Sequence, residues 1–184
     1  MERAQLLTRA LPAYTGNPVA AQEVEQLIVQ NIPVDIGFTM EGWFCVRIPL
    51  LLPKKSEGSA SYVRSFLYPA MQEFFQDKPP VRYGDCVLIY RHVYDERRPE
   101  RQRRDHDNIE VNMVSDIVAL YAMEDDAPDT CRHYYCSAAG SAERTEVYVV
   151  PAAEFPHWLV TEKVIPDEGV MLYENGPERA KKDM

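Results

Sequence analysis

The sequence predicts an α+β domain of two layers, in which a mixed sheet of about four strands carries two helices packed on it. Two observations lead to that class. Apolar runs of strand and helix type follow one another in the order strand, helix, strand, helix, strand, strand, enough for one sheet with one face covered by helices. A hydrophobic content of 46% in 184 residues can bury a substantial core. There is no internal repeat and no glycine-rich phosphate loop.

The elements follow in chain order. WFCVRIPLLL, Trp43 to Leu52, is a buried strand ended by Pro53 and the polar KKSEGS. Ser59 is positioned to cap a helix over ASYVRSFLYPAMQEFF, with Tyr62, Phe66, Met71 and Phe74 along one side. Pro69 is expected to kink or divide that helix, and Pro79-Pro80 ends it. Val81 to Tyr94, with the apolar centre CVLIY, forms a second strand and runs into DERRPERQRR, a loop with no apolar residue to bury.

Ile109, Met113, Ile117 and Leu120 then recur at helical spacing, and Asp107 with Glu110 forms a capping-box pattern. The helix is thus expected to start at Asp105 and Asp107 and to run roughly 25 Å towards Asp125 and Asp126, at ~1.5 Å per residue. After Pro128, CRHYYCS and RTEVYVVP read as a hairpin joined by AAGSAE, with one of Tyr134 and Tyr135 in the core and the other exposed. Residues 41–151 form the domain. Residues 1–40 are an extension holding one helix, Pro18 to Gln30, and residues 152–184 are a peripheral, partly disordered extension.

Composition narrows the function classes. The longest apolar run is far below the ~20 residues of a membrane span, and the stretch flanked by Arg3 and Arg9 is too short for a signal peptide, so a cytoplasmic protein without a membrane segment is expected. Cys45, Cys86, Cys131 and Cys136 lack zinc-ligand spacing, and Cys45 and Cys86, inside apolar runs, read as buried free thiols. A net charge of -9 disfavours DNA binding by the whole surface but leaves room for one basic strip. RRDHDNIEVN supplies such a strip, with two aspartates directly behind a run of arginines.

Carboxylates beside arginines suit phosphodiester cleavage, because Mg²⁺ takes oxygen ligands and arginine grips phosphate. Asp105 and Asp107 stand at one end of the expected helix and Asp125 and Asp126 at the other, so they converge only if the chain turns back or a second copy lies antiparallel to the first. The same residues also fit plainer roles: Asp107 as an N-cap, Asp105 as a solvated loop residue, Asp125 and Asp126 as an acidic turn. His92 and His106 flank the basic loop as candidate ligands or proton carriers, and equally as hydrogen-bonded surface residues.

The run RRDHDNIEVNMVSDIVALYAMEDD resembles the signature of the RusA-like Holliday junction resolvases: an arginine-rich loop, Asp-x-Asp-Asn, a helix, then Asp-Asp. RIPLLLPKKSEGSASYVRSFLYPAM and CVLIYRHVYDERRPERQRR are similar to that family's first strand, loop and helix and to its second strand and basic loop. The resemblance covers about residues 42–150 and implies a homodimeric, Mg²⁺-dependent endonuclease (Mn²⁺ being the alternative ion) that cuts branched DNA. It implies that Asp105, Asp107 and Asp126 are catalytic metal ligands, with Asn108 and Asp125 supporting them. Arg97, Arg98, Arg101, Arg103 and Arg104, with Lys54 and Lys55, would bind DNA. The family carries a lysine three or four residues after the motif asparagine, where this chain has Val111 and Asn112. Lys54, Lys55 or an arginine then substitutes for it, or the chain is a weakened relative that serves as a nucleic-acid or protein binding module.

Overall fold

The computed structural model describes residues 32–97 and 105–176, together with Tyr14, Gly16, Asn17, Val19, Ala20 and Glu23; Asp107 is described by its backbone alone. Five strands form one mixed sheet: β1 (Asp35–Phe38), β2 (Phe44–Ile48), β3 (Cys86–Asp95), β4 (Cys131–Gly140) and β5 (Arg144–Pro151). Their order is β1-β2-β5-β3-β4, antiparallel throughout except for the parallel pair β3 and β4. Helices α1 (Ser59–Phe74) and α2 (Asn112–Ala122) cover one face, and the short α3 (Phe155–Thr161) lies on the other. The α+β class with helices layered on a mixed sheet is therefore as predicted, with one more strand than expected. Of the expected helix Pro18 to Gln30, the described positions show its start: Asn17 Oδ1 accepts from the Val19 amide and the Glu23 amide donates to the Val19 carbonyl. The rest lies outside the described residues.

The central strand is β3, whose residues from Cys86 to Tyr94 are all buried. Its helix-facing side chains, Cys86, Leu88 and Tyr90, join Phe44, Val46, Val147 and Val149 under Tyr62, Phe66, Met71, Val114 and Ile117. Burial of this kind contributes roughly 1.5–3 kcal/mol per large side chain. Pro69 neither ends nor divides α1, which is continuous through it. Ser59 is not the cap: the N-cap is Gly58, at φ 83°, and the Ser59 hydroxyl instead donates to the Ser56 carbonyl and lies 3.0 Å from Glu110 Oε2.

The expected hairpin is not formed. β4 and β5 are joined by three residues, 141–143, yet β3 lies between them, pairing parallel with one and antiparallel with the other. Burial explains the order, because β3 has no solvent-tolerant face whereas β4 exposes Arg132, His133, Ser137 and Ala139 and suits an edge. The link must turn tightly past the end of β3. A Cβ on Gly140 would stand 2.5 Å from Asp167 Oδ1 and 2.7 Å from Val93 Cγ1. Gly140→Ala should therefore destabilise the protein by about 1–3 kcal/mol, read as a shift in urea midpoint at unchanged m-value.

Both ends of the described stretch from 32 to 176 are tied to the sheet. Strand β1 pairs with β2 and, through Phe38, exchanges two 2.8 Å backbone hydrogen bonds with Tyr173. Trp158 is fully buried against Tyr134, Tyr148 and Phe155, and Trp43 Nε1 donates to Glu154 across 2.6 Å. Residues 152–173 thus coat the second face instead of lying loose at the periphery. Tyr134 packs in that coat while Tyr135 stacks on Tyr90 on the helical side, so both are half-buried, and the expected split into one core and one exposed tyrosine does not hold.

Candidate nucleic-acid and metal site

Helix α2 starts at Asn112, later than the capping-box pattern predicts. Tertiary pairing decides this. Ile109 bridges Lys54, the Glu110 amide donates to the Pro53 carbonyl, and the Lys55 amide donates to the Asn108 carbonyl, so this segment lies flat along the loop after β2. A residue paired in that extended way is unavailable to a helix. Asp105 is itself extended, at φ -69° and ψ 137°, and opens a single 3-10 turn, His106–Asn108. Glu110 becomes a buried junction instead of the third residue of a helix: Oε1 accepts from the Met113 amide at 3.3 Å, and Oε2 meets Ser59 Oγ. The helix buries Val114, Ile117, Val118 and Ala122, while Leu120, expected on the apolar face, is 56% exposed.

The same pairing brings Lys54 and Lys55, both exposed, alongside Asn108 and one turn from Asp105. Val111 is buried and Asn112 is exposed at the first residue of α2. Arg97, beyond the end of β3, grips Asp95 through two charge-assisted contacts, Nε to Oδ1 at 2.9 Å and Nη2 to Oδ2 at 2.6 Å. That carboxylate raises the guanidinium's pKa and would compete with a phosphate for it. Arg98, Arg101, Arg103 and Arg104 lie outside the described residues. So does the side chain of Asp107.

Asp105, Asp125 and Asp126 are exposed. Asp125 Oδ1 accepts from the Asp126 amide, an acidic turn of the plainer kind the sequence also allows. Between the two acidic ends runs a strip of side chains on β4 that sequence reasoning left unassembled. His106 Nε2 is 3.4 Å from Ser137 Oγ, and its ring lies 5.4 Å from His92 and 5.7 Å from Tyr135. Tyr135 Oη in turn lies 3.2 Å from His133 Nδ1. The pKa of His133 is raised, first by a hydrogen bond with Cys131 and further by the charge of Asp126, against the opposing effect of burial. Alternation in C-x-H-x-Y-x-S, residues 131–137, was the available signal, since positions two apart in a strand share a face.

Asp105 with His106 marks the Ser137 end of this strip, and Asp126 marks the His133 end. Four residues of strand separate those ends, roughly 13 Å at ~3.3 Å per residue. Mg²⁺ ligands must converge at about 2.0–2.1 Å from one ion. Asp105 and Asp126 of one chain mark opposite ends of that strip, and among the described residues no three His, Cys, Asp or Glu side chains form a group that could hold a metal.

Away from this surface, on the sheet's second face, Glu146 is fully buried between two arginines. Arg91 Nη1 donates to Oε2 at 2.9 Å, Arg144 Nε to Oε1 at 2.6 Å and Tyr148 Oη to Oε2 at 2.8 Å. Burial pushes the carboxyl's pKa up, but the two guanidinium charges and the donated hydrogen bonds outweigh it and hold Glu146 below its ordinary value. The group is a structural lock, which the sequence alone did not single out.

No helix among the described residues is long and apolar enough to cross a membrane. No curated protein matches the chain. Residues 1–176 match a family described as Family of unknown function (DUF6100), and the match runs through both segments that the sequence reading set apart as extensions. A unit that includes β1, the sheet, its helices and the C-terminal coat is thus what this chain shares with its relatives: it belongs to the DUF6100 family, a family of unknown function.

Proposed function

We propose that this protein is a RusA-like, Mg²⁺-dependent endodeoxyribonuclease that acts on branched DNA as a homodimer in the cytoplasm, with Mn²⁺ as the alternative ion. The observation that carries the reading is the pairing of Lys54 and Lys55 with the 108–110 segment. It supplies cations beside the Asp-x-Asp-Asn motif, where the family's lysine is replaced by buried Val111 and exposed Asn112. The order β2, α1, β3, α2 also agrees with the order of elements in the resemblance. In this reading the lysines and the arginines between Arg97 and Asp105 hold the DNA backbone, and the aspartates are the metal's ligands. Asp107 completes that ligand set with Asp105 and with Asp126 of the partner subunit, and Asn108 and Asp125 support it.

A cleavage assay on a synthetic four-way junction with Mg²⁺ tests the reading. Asp105→Asn or Asp107→Asn should abolish cleavage while preserving or tightening junction binding, since each removes a ligand charge and its repulsion of phosphate. Unchanged cleavage in both variants would return these aspartates to capping and loop roles. Wild type that binds the junction but never cuts it, across Mg²⁺ and Mn²⁺ titrations, would favour the binding-module reading, for which the missing lysine is the specific support.

A further inference from the structure

The edge strand β4 is ten residues long, pairs with β3 at every residue from Cys131 to Gly140, and contains no proline, lysine or bulge. Those are the devices by which edge strands avoid pairing, and β4 carries only Arg132 as a charge. No described strand lies on its outer side. The direction of its free groups follows from two hydrogen bonds: the Cys86 amide donates to the Thr130 carbonyl and the Glu96 amide to the Gly140 carbonyl. Even-numbered residues of β4 therefore face β3, and the N–H and C=O groups of Cys131, His133, Tyr135, Ser137 and Ala139 point outwards.

We propose that two copies of this chain pair antiparallel through β4, with Tyr135 on the two-fold axis, so that Asp126 and His133 of one subunit meet the partner's Asp105, His106 and Ser137. A two-fold axis normal to the sheet keeps like faces together, so odd residues oppose odd ones: His133 faces the partner's Ser137 and Cys131 faces the partner's Ala139. The strand is self-complementary in size in this register. Its bulky half, Arg132, His133 and Tyr134, meets the small half of the partner, Ala138, Ser137 and Cys136. Hydrogen-bonded antiparallel partners stand about 5.5 Å apart at Cα, against the roughly 13 Å between His133 and Ser137 within one chain. The partner thus closes the gap between the separated carboxylates and creates two equivalent acidic sites, one on each side of the two-fold axis, at the central seam of a ten-stranded sheet. The pairing itself rests on the strand; only the use of the joined carboxylates rests on the nuclease reading.

Two experiments on the full chain test it. His133→Cys/Ser137→Cys should form a covalent dimer under mild oxidation while each single variant does not, because only the 133–137 pairing between subunits comes within disulfide reach. Mixing Asp105→Asn subunits with Asp126→Asn subunits should restore cleavage to about a quarter of wild type, since half of randomly assorted dimers are mixed and each mixed dimer keeps one intact site. Cross-linking of the double variant together with wild type that cuts no branched DNA would sustain the pairing and sink the nuclease reading. An active protein that neither cross-links nor complements would overturn the shared site and leave the nuclease reading standing. A monomer in which the introduced cysteines resist alkylation would also overturn it, with a segment of the same chain as the occupant of the edge.

Discussion

Glu146→Gln should destabilise the protein by about 3–5 kcal/mol, because it leaves two buried arginines without a counter-charge. Arg91 and Arg144 are 5% and 7% exposed, so water cannot take over the role of the carboxylate. The amide would keep one acceptor oxygen for three donors and would present its own N–H groups to a guanidinium. For a chain of this size the loss corresponds to a melting temperature lower by roughly 6–20 °C, at ~2–4 °C per kcal/mol. The pH dependence identifies the cause. A carboxyl whose folded pKa is depressed contributes stability above its unfolded value, about 4.3, and loses it as pH falls through the lower folded value. Wild type should therefore lose stability along that acid limb and Glu146→Gln should not. Equal acid limbs in the two proteins would assign the loss to packing alone.

The second large effect concerns the cation. Lys54→Ala/Lys55→Ala should lower the cleavage rate by about 100- to 1,000-fold with little change in fold, since one well-placed donor to developing charge is worth ~2.7–4 kcal/mol. Both side chains are exposed, and the backbone bonds that hold the loop to Asn108 and Ile109 do not involve them. Asn112→Lys in that background should recover part of the rate, though less than a native lysine, because no neighbouring groups have been shaped to hold it. Asn112 is the position to use because Val111 is buried, and an unpaired ammonium there would destabilise the start of α2. Should Asn112→Lys speed up wild type while the double alanine variant cuts as wild type does, the cation was lost and not relocated.

Much of the fold was legible in the order of apolar runs. Those runs name β2, α1, β3, α2, β4 and β5, and the reading of Cys45 and Cys86 as buried free thiols agrees with the structure, in which Cys131 and Cys136 are buried and free as well. Strand β1 was missed because Asp-Ile-Gly-Phe is short and its stability comes from partners on either side, β2 and Tyr173. The start of α2 was misread because a capping-box pattern is local, whereas the pairing of 108–110 with 53–55 crosses more than fifty residues. Propensity is a weak preference that such pairing overrides.

The candidate site divides in the same way. From the sequence came the residue types, Asp105, Asp107, Asp125 and Asp126 with a basic run before them, and the conclusion that one chain would not easily bring its acidic ends together. Only the tertiary structure decided that β4 is an edge and β3 the centre, and that Lys54 and Lys55 lie beside Asn108. It also decided that His106, Tyr135 and His133 connect the two acidic ends. The physical reason is range. Composition, periodicity and turn chemistry are properties of neighbours along the chain, and they determine which segments form strands and helices. Strand order, the pinning of a loop and the distance between two carboxylates depend on which buried faces compete for the same core, and that competition is settled between residues far apart in sequence.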